Sequence, residues 1–213
     1  MSFFSEIQNE LVGTVDLSTI LRKAKVLAYK LGNQEFKDWV ENELNGYKDI
    51  NLLPEYRKLE TIAQGNFINA GWKISNQVIP LSLIPEKYIT IFSELHLFQG
   101  IKELEAMLEV MNQNGENTLK ISIPPEFYSL LDYKVYQYTQ CTSAWRLLNK
   151  GQVTQVIETT RNSLLSFILE LADKYPQIKS DSIPDGKIPN EEIRQVFNYI
   201  VLGDNSSINS LNR

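Results

Sequence analysis

Apolar and polar positions change rhythm several times along this chain, and each change marks an element. From Asp16 to Leu31 the apolar residues Leu17, Ile20, Leu21, Ala24, Leu27, Ala28 and Leu31 recur at steps of three and four. That spacing lays one stripe along a helix. Asp16 or Ser18 is placed to cap its start, and Gly32 supplies the left-handed residue that ends it. Asn33 then caps a second helix, whose inward side is Phe36, Trp39, Val40 and Leu44 and which closes at Gly46. So short a connection predicts a helical hairpin.

The period drops to two in the middle of the chain. Trp72, Ile74 and Val78 alternate with polar residues, which predicts a strand with these three on its covered face. Leu59 to Phe67 reads as its partner, with Asn69-Ala70-Gly71 as the turn. Leu119, Ile121 and Ile123 form another alternating run that stops at Pro124-Pro125, and Lys134 to Thr142 reads as a further strand. Between them a helix is expected from about Gln99 to Met111, and a short one from Glu126 to Leu131. Last comes a long amphipathic helix from about Gln152 to Tyr175, with Val153, Val156, Ile157, Thr160, Leu164, Phe167, Ile168 and Leu171 on its apolar face and Pro176 as its stop. The expected fold class is therefore α+β: an N-terminal helical hairpin, a small mainly antiparallel sheet and a long C-terminal amphipathic helix. Residues 1–185 are expected to form the domain. Residues 186–213 are expected to be a linker and a short apolar, Asn- and Ser-rich tail.

Composition narrows the chemistry. The 213 residues carry 21 Lys and Arg against 26 Asp and Glu, a net charge of −5, with 43% hydrophobic residues. A chain so apolar and so weakly charged is expected to fold. One Cys and one His exclude a disulfide framework, and they exclude zinc sites built by this chain from several thiols or imidazoles. The first residues, Met1-Ser2-Phe3-Phe4-Ser5-Glu6, lack the basic and apolar regions of a secretion signal. The most apolar stretch, Val78 to Phe98, is interrupted by Pro80, Pro85, Glu86, Lys87, Glu94 and His96, unlike a membrane helix. Cytoplasmic residence without membrane contact is the expectation. Overall acidity disfavours nonspecific nucleic-acid binding.

Catalytic patterns are sparse. Cys141 and His96 are the only thiol and imidazole, but Cys141 falls in an apparent strand, where it reads as a small hydrophobe. Glu35, Asp38, Glu41 and Glu43 form one acidic group and Glu103, Glu105 and Glu109 another, the raw material of a metal nuclease; solvated helix faces explain both. Phosphate-binding loops, dinucleotide fingerprints and nucleophile elbows are missing. No cofactor or metal is expected, and the balance leans away from an enzyme.

One set of motifs is distinctive. Leu21-Arg22-Lys23-Ala24-Lys25-Val26-Leu27-Ala28-Tyr29-Lys30-Leu31-Gly32 leads into Glu35-Phe36-Lys37-Asp38-Trp39-Val40-Glu41-Asn42-Glu43-Leu44-Asn45-Gly46-Tyr47. Pro54-Glu55-Tyr56-Arg57, Gly71-Trp72, Ile101-Lys102-Glu103-Leu104-Glu105 and Arg161-Asn162-Ser163-Leu164-Leu165 follow. Over roughly residues 4 to 180 this resembles the AbiTii domain, named for phage abortive infection. The resemblance implies a bacterial antiviral role and brings no catalytic residues with it.

Within these motifs Glu43, Asn45, Tyr47, Glu55, Tyr56 and Arg57 stand out as polar groups needing partners. Either Arg57 with Glu43 or Glu55 staples the loop after the second helix, or these residues line a recognition groove. Phe197, Tyr199, Ile200 and Val201 form a strand-like block that could add to a sheet edge in a second copy. The expected function is a defence module working through a protein partner or homo-oligomer, a phage component included, as sensor, adaptor or regulator. A metal-dependent nuclease or other nucleic-acid-targeting effector is the alternative.

Overall fold

A computed structural model describes residues 3–69, 71–179 and 189–203. The chain is α+β and divides into two compact units. The first takes residues 1–54, 98–107 and 155–213, and the second residues 55–97 and 108–154.

The first unit is helical. It opens with α1 (Phe3–Val12), an element the sequence reading left out, and continues with the expected hairpin, α2 (Leu17–Leu31) and α3 (Gln34–Asn45). All seven stripe residues of α2 are buried. Gly32 ends that helix at φ 70°, its N–H donating to the Ala28 and Tyr29 carbonyls. Asn33 caps α3 as expected, its Oδ1 accepting the Phe36 N–H at 2.8 Å. The start of α2 is a correction, because neither Asp16 nor Ser18 caps it with a side chain. Instead a carboxyl oxygen of Glu105, on α5 (Ile101–Asn114), accepts the Ser18 N–H at 3.1 Å. An acidic group from a distant helix thus meets the positive end of α2.

The expected long helix is α6 (Lys150–Lys174). Its eight predicted inward residues are all buried, the polar Thr160 fully so. Arg161 on this helix donates to the Leu11 and Val15 carbonyls at 3.4 and 2.8 Å, tying down the α1–α2 connection. The segment read as a strand-like tail is helical: α7 (Asn190–Phe197) runs into a π-helical turn, Asn198–Leu202. Phe197 is 1% exposed and sits 5.6–5.9 Å, centroid to centroid, from Phe36, Trp39 and Phe167. The spacing Ile193-Val196-Phe197-Val201 is that of a helix, although Val196 to Val201 also reads as a short apolar run. The Asn- and Ser-rich sequence after Gly203 lies outside the described residues.

The second unit holds an antiparallel sheet in the order β3 (Trp72–Val78), β2 (Ala63–Asn69), β6 (Gln140–Asn149), β5 (Thr118–Ser122). A separate pair joins β1 (Lys58–Glu60) to β4 (Glu94–His96), which follows the short helix α4 (Ile89–Ser93). Ala63, Phe67, Ile79, Ile84, Phe92, Ile123, Leu131 and Ala144 form the core on one side of the larger sheet.

Two strand expectations need correction. Trp72, Ile74 and Val78 do lie on a strand, but they do not share a covered face. Ile74 stands opposite buried Phe67, whereas Val78 stands opposite Gln64. An extra residue on β3 between these pairs, with Asn76 at φ 57°, swaps the faces. Val78 is consequently 55% exposed, whereas Trp72 shares the face of Ile74 and is 75% exposed because it starts the strand opposite exposed Asn69. Residues 134–139 are turns, and the strand begins only at Gln140. Tyr138 takes φ of 63°, and Tyr133 just before this stretch 60°, both outside the extended region of a regular strand.

Candidate functional site: the loop after the second helix

The polar motif residues fall into both units. In the first, α3 brings Glu43 onto its buried side one turn before Tyr47. Tyr47 donates its phenolic proton to Glu43 Oε1 at 2.6 Å. The Thr160 hydroxyl lies 3.4 Å from Glu43 Oε2 and 3.0 Å from the Val156 carbonyl, two acceptors for its single proton. Glu43 is fully buried and Tyr47 nearly so, so these bonds replace water that neither group can reach.

Backbone packing reinforces the same corner. The Tyr47 N–H donates to the Phe98 carbonyl at 2.7 Å. Gly46 takes φ 89° and ψ 159°, a region essentially closed to residues with a Cβ. A Cβ there would lie 2.6 Å from the Phe98 oxygen, and one on Gly100 would lie 2.4 Å from the Leu44 oxygen. Two chain segments cross at this point because both carry glycine.

The loop leaving that corner is stretched between two buried anchors, Tyr47 and Leu53. All five residues between them, Lys48 to Leu52, are exposed. Asp49 shapes the loop by accepting the Asn51 N–H at 2.9 Å, starting a 3-10 turn over Ile50–Leu52. Ile50 and Leu52 are 45% and 59% exposed, on a loop whose start is fixed by the buried Tyr47. The sequence reading missed these two. The available signal was a pair of aliphatic residues in a stretch with neither helical nor strand period.

In the second unit Arg57 is fully buried and donates to the Leu97 carbonyl at 2.9 Å. The Leu97 N–H in turn donates to the Arg57 carbonyl, so the residue is bound through both side chain and backbone. Glu55 takes no part in a buried staple, since its side chain is 87% exposed and meets Lys58 at 2.5 Å. Asn45 also lies at the surface, donating to Glu41 at 2.8 Å. Tyr56 is half-buried.

The sequence-derived catalytic groups are placed as follows. The Cys141 thiol donates to the Ser143 carbonyl at 3.5 Å, while His96 meets Glu94 at 3.1 Å. Burial pushes the thiol up to about 11, away from the thiolate form a nucleophile needs. Glu41 pairs with Lys25, Asp38 accepts from Gln34, and Glu105 serves α2. Among the described residues no three His, Cys, Asp or Glu side chains gather where they could hold a metal ion. Among them, too, no helix is long and apolar enough to cross a membrane.

The AbiTii family model matches residues 2–196, nearly the whole chain, so the chain belongs to the AbiTii family. No curated protein and no solved structure matches the chain. The family suggests a part in abortive infection, a form of anti-phage defence.

Proposed function

We propose that this AbiTii-family chain acts in defence by docking a protein partner, as a sensor, adaptor or regulator, and that the loop Lys48–Leu52 is a contact surface. The observation that carries this reading is the contrast within one motif. Its acidic and aromatic members, Glu43 and Tyr47, are turned inward and bonded, while the loop they fix turns Ile50 and Leu52 outward. Exposed aliphatic side chains on a held backbone lose little conformational entropy on binding, which favours association. Polar residues buried at such cost in desolvation are best understood as scaffolding for what they present.

Co-purification from infected and uninfected cells tests this. The wild-type chain should retain a partner that an Ile50→Asp, Leu52→Asp double variant loses, with both proteins melting at the same temperature. Equal recovery of the same proteins by both would contradict the loop's role. Metal-dependent cleavage of RNA or DNA by the pure protein would instead favour an effector enzyme.

A further inference from the structure

In the second unit, Ile68, Asn69, Tyr133, Tyr138 and Gln140 line an open cleft of about 360 Å³ at one end of the sheet. We propose that this cleft binds a planar base carrying a phosphate, either a free nucleotide or a unit of a single-stranded nucleic acid.

The two tyrosines are the starting observation. Each sits at positive φ, 60° and 63°, where bulky side chains are rarely found, and each is largely exposed, at 60% and 71%. The turn that imposes this conformation is well tied. Tyr133 N–H donates to the Thr139 carbonyl at 2.9 Å, and the Thr139 hydroxyl to the Tyr136 carbonyl at 2.8 Å. The Tyr136 hydroxyl donates to Gln77 at 2.6 Å. The turn holds two aromatic rings in water with no core to fill. It suits a stacking platform.

The surrounding groups fit the same ligand. Asn69 and Gln140 add amides that can read the edge of a base. Lys73 stands opposite Ile68 across the β2–β3 pair, and Gln140 stands opposite Ile68 on the other side, so the three form a row across the sheet. Lys134 follows Tyr133 on the turn and is exposed. Neither lysine pairs with a carboxylate among the described residues. The cleft lining contains no acid. The one carboxylate on the turn, Asp132, is turned away to accept the Cys141 N–H at 2.8 Å. Net acidity of the whole chain is therefore no guide to this spot, which has one lysine in register with its lining and another beside Tyr133.

The test is titration of the full chain with fluorescein-labelled oligo(dT), with AMP, and with a duplex as control, followed by fluorescence anisotropy or calorimetry. Tyr133→Gly with Tyr138→Gly removes both rings while suiting the positive φ, so this variant should melt no lower than wild type. Its affinity should fall about tenfold or more, as expected for losing base stacking. Lys73→Gln with Lys134→Gln should weaken binding and flatten its salt dependence. Binding of AMP identifies a nucleotide site, and binding of oligo(dT) alone identifies a strand site; either supports the proposal. Absence of binding to both, or binding that the glycine variant leaves unchanged, overturns it.

Discussion

Tyr47 donates its hydroxyl proton to Glu43 one helical turn away, at 2.6 Å, inside a corner from which water is excluded. The same tyrosine bonds Phe98 through its backbone, so one residue fastens both the end of α3 and the segment entering α5. Changing Tyr47 to Phe keeps the ring but leaves a buried carboxyl oxygen short of a donor. The expected loss is about 1–3 kcal/mol, measured by urea unfolding, with Thr160→Val costing less because its hydroxyl is shared with Val156.

The glycine crossing gives a steeper prediction. Gly100→Ala forces a methyl group against the Leu44 oxygen, and Gly46→Ala adds a forbidden backbone conformation to a similar clash. Each should cost at least about 2–3 kcal/mol. Gly151→Ala, on the first turn of α6 with open space around it, should be neutral or mildly stabilising. Equal melting temperatures for all three variants would refute the crossing as described.

Helix α7 completes the core of the first unit. Phe197→Ala should destabilise by about 3–5 kcal/mol, as for other fully buried phenylalanines. A chain ending at Pro189 should show red-shifted Trp39 emission, because the ring that covers it edge-on is gone. Native-like emission and stability in that shortened chain would contradict this packing.

Much of this was legible in the sequence, and the failures have physical causes. The α2–α3 hairpin and α6 were readable because long stripes at helical spacing admit one interpretation. Helix α7 was not, since its apolar residues crowd into a short block after a Pro- and Gly-containing stretch, where length cannot separate helix from strand. The strand at Trp72 was found but its faces were not, because a single inserted residue near Asn76 reverses the alternation. Among the motif residues, Glu43, Tyr47 and Arg57 proved internal, as polar groups in an apolar setting suggest. Asn45 and Glu55 carried no such signal and lie in solvent. The cap on α2 was unreadable for a different reason: Glu105 is 87 residues away from Ser18.

Cys141 offers a pH test. Burial holds its thiol at about 11 against an ordinary 9.0, so the folded state keeps its proton where the unfolded chain has begun to lose it. Its contribution to stability is therefore full below about pH 9 and is lost as pH rises toward 11. Alkylation of the native protein by iodoacetamide should be slow at pH 8 and accelerate over that interval, while urea-unfolded protein reacts readily at pH 8. Rapid native alkylation at neutral pH would show a thiolate that this environment does not support.

The most direct test of the whole account is phage plating on cells that carry the native locus with Ile50→Asp and Leu52→Asp. The account predicts that plaques return to the number seen without the gene, although the variant accumulates and melts like wild type. Full protection by that stable variant would contradict a role for the loop in defence.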